Sequence, residues 1–194
     1  EPIKLGMTAA LSGPSEYIGQ ALLKGIEPAI KYINDEGGIN GQPLELVLYD
    51  DSDDPKQSAL NAVRLIEEEK VDILFSFVGT PTTLETLPLL SKHKKLLFFP
   101  YSGAHFLYEH PNNQFIVNQR ASYWQETAAI VDHFISNSKR KIAVYYQHDS
   151  FGESGLLGVK KALSAHDTEL LLTLNYEAGR TFTDNYADDA EKLL

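Results

Sequence analysis

Apolar residues along this chain form short unbroken runs separated by stretches with helical spacing. The runs at 72–77 and 96–99 are continuous rather than alternating, the pattern of strands buried on both faces of a parallel sheet, and further strands are read at 3–9 and 44–49. Between these last two, Ile18, Ala21, Leu22, Gly25, Ile26, Ala29, Ile30 and Ile33 repeat at helical spacing. Pro28 falls inside that helix and predicts a kink or a locally open hydrogen bond. Ser12 is placed to cap it, with Pro14 in its first turn. A second helix over 55–70 presents Ala59, Ala62, Val63 and Ile66 as its apolar stripe, with Asp53 or Asp54 as cap. A third helix spans 83–94.

The pattern lapses between Phe106 and Pro111, passes a short strand at 114–118, and restarts near Gln119 and Arg120. A helix over 121–137, a strand at 141–146, a helix at 152–166, a strand at 169–174 and a helix from Thr183 follow, and the sequence given stops at Leu194 inside that helix. Strands alternating with helices through short connections predict an α/β fold, a parallel Rossmann-like sheet flanked by helices. The restart divides the chain into an N-terminal lobe, 1–119, and a partial second lobe, 120–194.

Charge narrows the partners. Net charge is −10 over 194 residues, which argues against nucleic acid, since phosphate binding needs clustered Lys and Arg. Lys92, Lys94 and Lys95 cluster around His93, where they complement the end of a helix dipole. No apolar run approaches the roughly 20 residues that cross a bilayer. The start at Glu1-Pro2 lacks a charged and apolar leader, as expected of a cytosolic protein or an exported one already processed. With no cysteine there is no disulfide, thiolate metal site or thiol nucleophile.

Enzyme and cofactor motifs are missing: no Gly-x-Ser-x-Gly elbow, no phosphate loop, no His-Glu-x-x-His and no Gly-x-Gly-x-x-Gly. Neither cofactor nor metal is expected. The histidines at 93, 105, 110, 133, 148 and 166 offer no ligand spacing, though His105 and His148 fall in loops at the carboxyl edge of strands. Asp50, Asp51, Asp53 and Asp54 read as a solvated strand-to-helix loop. A phospho-receiver would carry an acidic pair after its first strand, where this chain has Thr8-Ala9-Ala10, and Pro55-Lys56 interrupts a calcium loop.

Two hydroxyl-rich turns remain, Gly79-Thr80-Pro81-Thr82-Thr83 and Tyr101-Ser102-Gly103-Ala104. Both lie at the carboxyl ends of strands, where ligands bind in open parallel sheets. Thr80 and Thr82 precede a helix, so their hydroxyls and its first N–H groups converge on one point, suited to a carboxylate. The alternative is that Thr82 only caps that helix. Tyr101, Ser102 and Gly103 supply a second hydroxyl, a carbonyl edge and close approach, and Tyr17 an aromatic wall.

In order along the chain, Ser12-Gly13-Pro14, Glu36-Gly37-Gly38-Ile39-Asn40-Gly41, Tyr49-Asp50-Asp51 with Asp54-Pro55, Val78-Gly79-Thr80-Pro81-Thr82 and Pro100-Tyr101-Ser102-Gly103-Ala104 match a known family. Tyr146, Asp149, Phe151-Gly152 and Gly155 fit it in the second lobe. The sequence resembles the periplasmic solute-binding proteins of the leucine/isoleucine/valine type, the receptors of ABC importers. The resemblance implies a type I periplasmic-binding-protein fold, two α/β lobes closing on a ligand, here with the second lobe truncated. It implies Thr80 and Thr82 on a ligand carboxylate, Tyr101, Ser102 and Gly103 on the amino group and polar head, and Tyr17 and Phe151 around the side chain. The implied ligand is an amino acid or related carboxylate, and the implied partner is a membrane ABC permease or, in the sensor reading, a signalling protein. The implied place is the periplasm, or the extracellular face under a membrane tether, with no catalysis. A doubly wound enzyme is the alternative of another class.

This sequence departs from the family's pattern in the absence of a cysteine pair (Asp53 stands at one of its positions), in Gly103 for a threonine, and in His105 for an acidic residue of a related subgroup. The matched part also stops before the acidic residue that in the family neutralises a bound ammonium. An incomplete second lobe leaves a strand edge around 170–174 unpaired, so strand exchange with another copy, or mobility beyond about Ala178, is expected.

Overall fold

The computed structural model describes residues 1–109, 111–180 and 185–193. They divide into two compact units, one of Glu1–Ser102 with Phe106–Arg120, the other of Gly103–His105 with Ala121–Leu194.

The first unit runs β1 (Ile3–Ala9), α1 (Glu16–Asp35), β2 (Leu44–Asp50), α2 (Pro55–Glu67), β3 (Ile73–Phe75), α3 (Thr80–His93), β4 (Leu97–Phe98) and β5 (Ile116–Val117). Its five parallel strands lie in the order β2-β1-β3-β4-β5. β1 pairs with β2 over its whole length, Ile3 opposite Leu44 through Ala9 opposite Asp50. Leu65, Val71, Leu74, Phe77, Leu90 and Leu97 bury the main core between the sheet and the helices α2 and α3. Met7, Ala9 and Val78 gather Ile18, Leu22, Leu23 and Ile26 of α1 with Leu46 and Leu48 of β2.

Local chemistry explains most element boundaries. Asp54 caps α2, its carboxylate accepting the Lys56 and Gln57 N–H groups, with Pro55 as first helical residue. α1 starts later than expected, at Glu16, because Ser12 is engaged elsewhere: its hydroxyl donates to Asp50 at 2.6 Å. Pro28 sits within a helix assigned without a break from Glu16 to Asp35. α3 starts three residues early, at Thr80, since Gly79 (φ +94°) turns the chain directly from the strand edge into the helix. Thr82 therefore lies inside the first turn, and its hydroxyl donates to the Val78 carbonyl, so it is no cap. β3, β4 and β5 are shorter than their apolar runs, because the chain leaves the ladder at Ser76 and Phe99, both in the left-handed region.

The stripe predicted for α2 is rotated. Ser58, Asn61, Ala62, Leu65 and Ile66 face inward, while Ala59 and Val63 are only half-buried. Asn61 on the inner face bonds to Thr8 and the Asp50 carbonyl, so α2 covers a polar network as well as apolar core.

The second unit contains α4 (Tyr123–Ser136), β6 (Ala143–Gln147), α5 (Ser150–Ser164), β7 (Leu172–Tyr176) and α6 (Ala187–Leu193). β6 and β7 pair in parallel, Ala143 opposite Leu172 through Gln147 opposite Tyr176, two residues beyond the predicted end of the last strand. Ser122 and Gln125 form a reciprocal capping box on α4, and Asp149 caps α5. Val131, Ala162 and Leu163 centre its core. The helix expected from Thr183 starts at Ala187 in the described residues; Thr183 itself, like His110 and Leu194, lies outside them.

Candidate functional site

In the first unit the carboxyl ends of β1, β2 and β3 carry three neighbouring loops: Ala10–Ser15, Asp51–Asp54 and Ser76–Gly79. The β2 loop is held by its own side chains. Asp50 accepts the Leu11 N–H (2.8 Å), the Ser12 hydroxyl (2.6 Å) and the Ser52 N–H (2.9 Å). Burial opposes its charge, but these bonds from Ser12, Leu11 and Ser52 hold Asp50 below the usual carboxylate range.

Asp51 corrects the solvated-loop expectation. It is 1% exposed; its carboxylate accepts the Thr8 hydroxyl at 2.8 Å and the Asp53 N–H at 3.0 Å. Asn61 closes the network, donating to the Thr8 oxygen (3.0 Å) and the Asp50 carbonyl (2.9 Å). Burial pushes the Asp51 carboxyl up to about 6; the Thr8 and Asp53 bonds oppose the rise, and the charges of Asp53 and Asp50 add to it.

Next to this loop, Thr80 and Ser102 meet. Their hydroxyls are 2.7 Å apart and both side chains are buried. One hydroxyl donates to the other. The turn before α3 has no side-chain cap, and the Gly79 carbonyl accepts the Thr83 N–H. Thr80 and Thr82 N–H groups, ahead of the first intrahelical bond, point along the helix axis at the same edge. Two hydroxyls and the positive end of a helix form a compact anion-binding corner.

The other predicted residues are distributed. Thr82 is fully buried, with its hydroxyl turned onto Val78. Tyr101 bridges to Val78, its N–H donating to Phe77 at 2.8 Å, and leaves its ring 46% exposed under the Arg120 guanidinium, 5.8 Å from the ring centre. Tyr17, in the first turn of α1, is 68% exposed.

Gly103 and Phe151 belong to the second unit, where a residue absent from the predicted set joins them. The Tyr123 N–H donates to the Gly103 carbonyl at 2.6 Å, and its ring meets that of Phe151 edge-on at 5.5 Å. A side chain at Gly103 would collide with the Tyr123 ring at 2.7 Å, so glycine is what allows this approach. His105 stacks on Trp124 at 4.7 Å, its Nδ1 3.1 Å from the Ser154 hydroxyl; His148 pairs with Glu177 at 3.1 Å. The sequence signal that could have found Tyr123 is the capping box around it, which fixes the start of α4 and thus the direction of its first side chain. Among the described residues, no group of three or more His, Asp or Glu is placed to hold a metal ion.

Comparison with known proteins places this chain in a family. A family profile described as periplasmic binding protein matches residues 2–192. The chain is 29% identical over 162 residues to Leu/Ile/Val-binding protein homolog 3 of Brucella melitensis, covering 82% of this chain and 43% of that protein. A possible leucine/isoleucine/valine-binding protein from Rhodopirellula baltica superposes with TM-score 0.84 at 31% identity, over 91% of this chain and 48% of the other. A substrate-binding periplasmic protein from Ralstonia solanacearum superposes with TM-score 0.88 at 26% identity, over 98% and 53%. The chain thus spans about half the length of the relatives it matches, with the type I periplasmic-binding-protein fold throughout. It belongs to the periplasmic binding protein family and resembles the leucine/isoleucine/valine-binding branch of it.

Proposed function

We propose that this chain is part of an extracytoplasmic solute-binding receptor that captures an amino acid or related small carboxylate for an ABC importer, without catalysing a reaction. Residues 1–119 act as the lobe that receives the carboxylate, and 120–194 contribute part of a second lobe. The observation that carries this reading is the buried Thr80–Ser102 hydroxyl pair beside the uncapped start of α3. Fixed, buried hydroxyls at a helix N-terminus suit a carboxylate held reversibly, and no paired acid and base for proton transfer stands at the corner among the described residues. Tyr101 and Tyr17, exposed at the same edge, supply aromatic surface for an apolar ligand body. The names of the similar proteins support an amino-acid ligand, and they support a periplasmic location. No helix among the described residues is long and apolar enough to cross a membrane.

The test is calorimetric titration of the 194-residue protein with L-leucine, L-isoleucine, L-valine and small aromatic carboxylates. Ser102→Ala and Thr80→Val are expected to weaken the best ligand about tenfold or more, the loss typical of a hydrogen bond to a charged group. Retained affinity in both variants, with unchanged circular dichroism, would place the carboxylate elsewhere.

A further inference from the structure

The turn between α1 and β2 carries the dipeptide Asn40-Gly41, which the candidate site does not use. Asn40 has φ +51° and Gly41 φ +81°, two successive left-handed residues of a tight hairpin turn. Ile39 and Gln42 close it, exchanging main-chain hydrogen bonds at 2.8 and 3.0 Å. Below that pair the chain is firmly held. The Pro43 carbonyl accepts the Ile3 N–H, and the Asn34 side chain both donates to the Leu44 carbonyl and accepts the Leu44 N–H. Asn40 and Gly41 stand beyond the last pair, both exposed, and a side chain on Gly41 would meet nothing within 4 Å.

Asn40 also differs from the other asparagines, of which the sequence has nine in all. Six, Asn34 and Asn137 among them, donate from the side-chain amide to a main-chain carbonyl, and the Asn185 side-chain oxygen accepts the Ala187 N–H. Asn175 lies within β7 and is followed by the bulky Tyr176. Asn40 alone precedes a glycine. Among the described residues neither its side-chain amide nor the Gly41 N–H takes a hydrogen bond. An amide carbon and the main-chain nitrogen that can reach it thus share one exposed turn, with no side chain on the second residue to shield that nitrogen.

We propose that Asn40 is a site of self-modification, converted by its own neighbour into aspartate and isoaspartate. The Gly41 nitrogen loses its proton and attacks Asn40 Cγ; the N–Cγ bond forms, the Cγ–Nδ2 bond breaks, and the side-chain nitrogen takes up a proton and leaves as ammonia. Water then opens the five-membered succinimide at either carbonyl and returns a proton to the Gly41 nitrogen. The net change is one water consumed and one ammonia released, with no oxidation or reduction. Opening at the side-chain carbonyl retains the main-chain carbonyl and gives isoaspartate when the ring instead opens at the main-chain side. Aspartate tolerates left-handed backbone, so that product keeps the turn. Isoaspartate adds a carbon to the main chain and puts Ile39 and Gln42 out of register. Either product adds a negative charge to a chain that already carries −10.

The 194-residue protein is incubated at about pH 8.5 and 37 °C, both folded and in guanidinium chloride, and its peptides are followed by mass spectrometry. In the unfolded chain local sequence alone sets the rates. Folding is expected to slow Asn137, whose amide donates to the His133 carbonyl at 2.7 Å, about tenfold or more, and Asn40 by no more than about threefold. In the folded protein Asn40 is then modified first, as two products of equal mass, and more slowly at pH 6. The acidic species that anion exchange resolves is expected to co-elute with Asn40→Asp, and Asn40→Asp itself to give no further product at this turn. Equal slowing of Asn40 and Asn137 by folding, or faster modification of Asn137 in the folded protein, overturns the proposal. So does an Asn40 that stays intact in the folded protein while the unfolded chain loses it.

Discussion

Replacing Gly152 by alanine is expected to unfold the second unit, while the same substitution three residues along the same helix, at Gly155, is expected to stabilise it. Gly152 lies in the first turn of α5, pressed against the end of β6. A methyl group there would collide with the Gln147 carbonyl oxygen and lie 2.7 Å from the Gln147 nitrogen. Those are backbone atoms and cannot swing aside, so α5 must lift away from β6, opening the core around Val131, Ala162 and Leu163. Such a clash costs about 3 kcal/mol or more, a large part of the stability of a small unit. At Gly155 nothing lies within 4 Å of an added methyl group, so alanine gains its helix propensity, about 0.5–1 kcal/mol. Trp124, the single tryptophan, belongs to this unit, so its fluorescence during urea unfolding reads both variants. Matching midpoints for Gly152→Ala and the unaltered protein would show that α5 and β6 are not in contact as described.

Asp51→Asn is expected to change the sign of its effect between pH 3 and pH 7.5. The folded carboxyl titrates near 6, above its ordinary value of 3.8, because burial penalises the charge. The folded state thus binds the proton more tightly than the unfolded chain. The stability this provides is fully present below about pH 4 and is lost as pH rises through about 6, a swing of about 3 kcal/mol. Asparagine carries no charge to bury, but one of the two bonds from Thr8 and the Asp53 N–H loses its acceptor, at about 1 kcal/mol. The variant should be about 2 kcal/mol more stable than the parent at pH 7.5 and about 1 kcal/mol less stable at pH 3. Urea unfolding followed by circular dichroism at the two pH values measures this, and a variant with the same offset at both would show that Asp51 is not ionised in a buried site.

The alternation of apolar runs with helical spacing makes the parallel α/β order of the first unit readable from residues alone, because strands buried on both faces and amphipathic helices leave different periods. Asp54-Pro55 likewise announces its helix, since a cap is a local bargain between neighbours. Thr80 and Ser102 were readable for a related reason: hydroxyls in turns at the carboxyl ends of adjacent strands are brought together by the sheet itself. What stayed hidden depends on partners distant in the chain. Asp51 looks like one solvated acid among four until Thr8, 43 residues away, and Asn61 enclose it. The stripe of α2 differs from the expected one because Asn61 is buried for that same network, with Ser58 buried on the same face, against the assumption that an inward face is apolar. Ser12 looks like a helix cap and instead binds Asp50, a choice set by the β1–β2 register. Tyr123, which joins Gly103 to Phe151, carries no motif of its own.

The chain gives three residues, Gly103–His105, to the second unit before returning to the first for Phe106–Arg120 and leaving again at Ala121. Neither unit is therefore a continuous piece of the gene. A fragment beginning at Ala121 would lack the Gly103 carbonyl that receives the Tyr123 N–H and the imidazole that covers Trp124, leaving an indole face and the Ser154 hydroxyl without these neighbours. A cut at Ser102 would likewise deprive β4 of β5. Gene fusion or exon exchange acting on contiguous segments would break both units at once, so the two can be inherited, duplicated or transplanted only together.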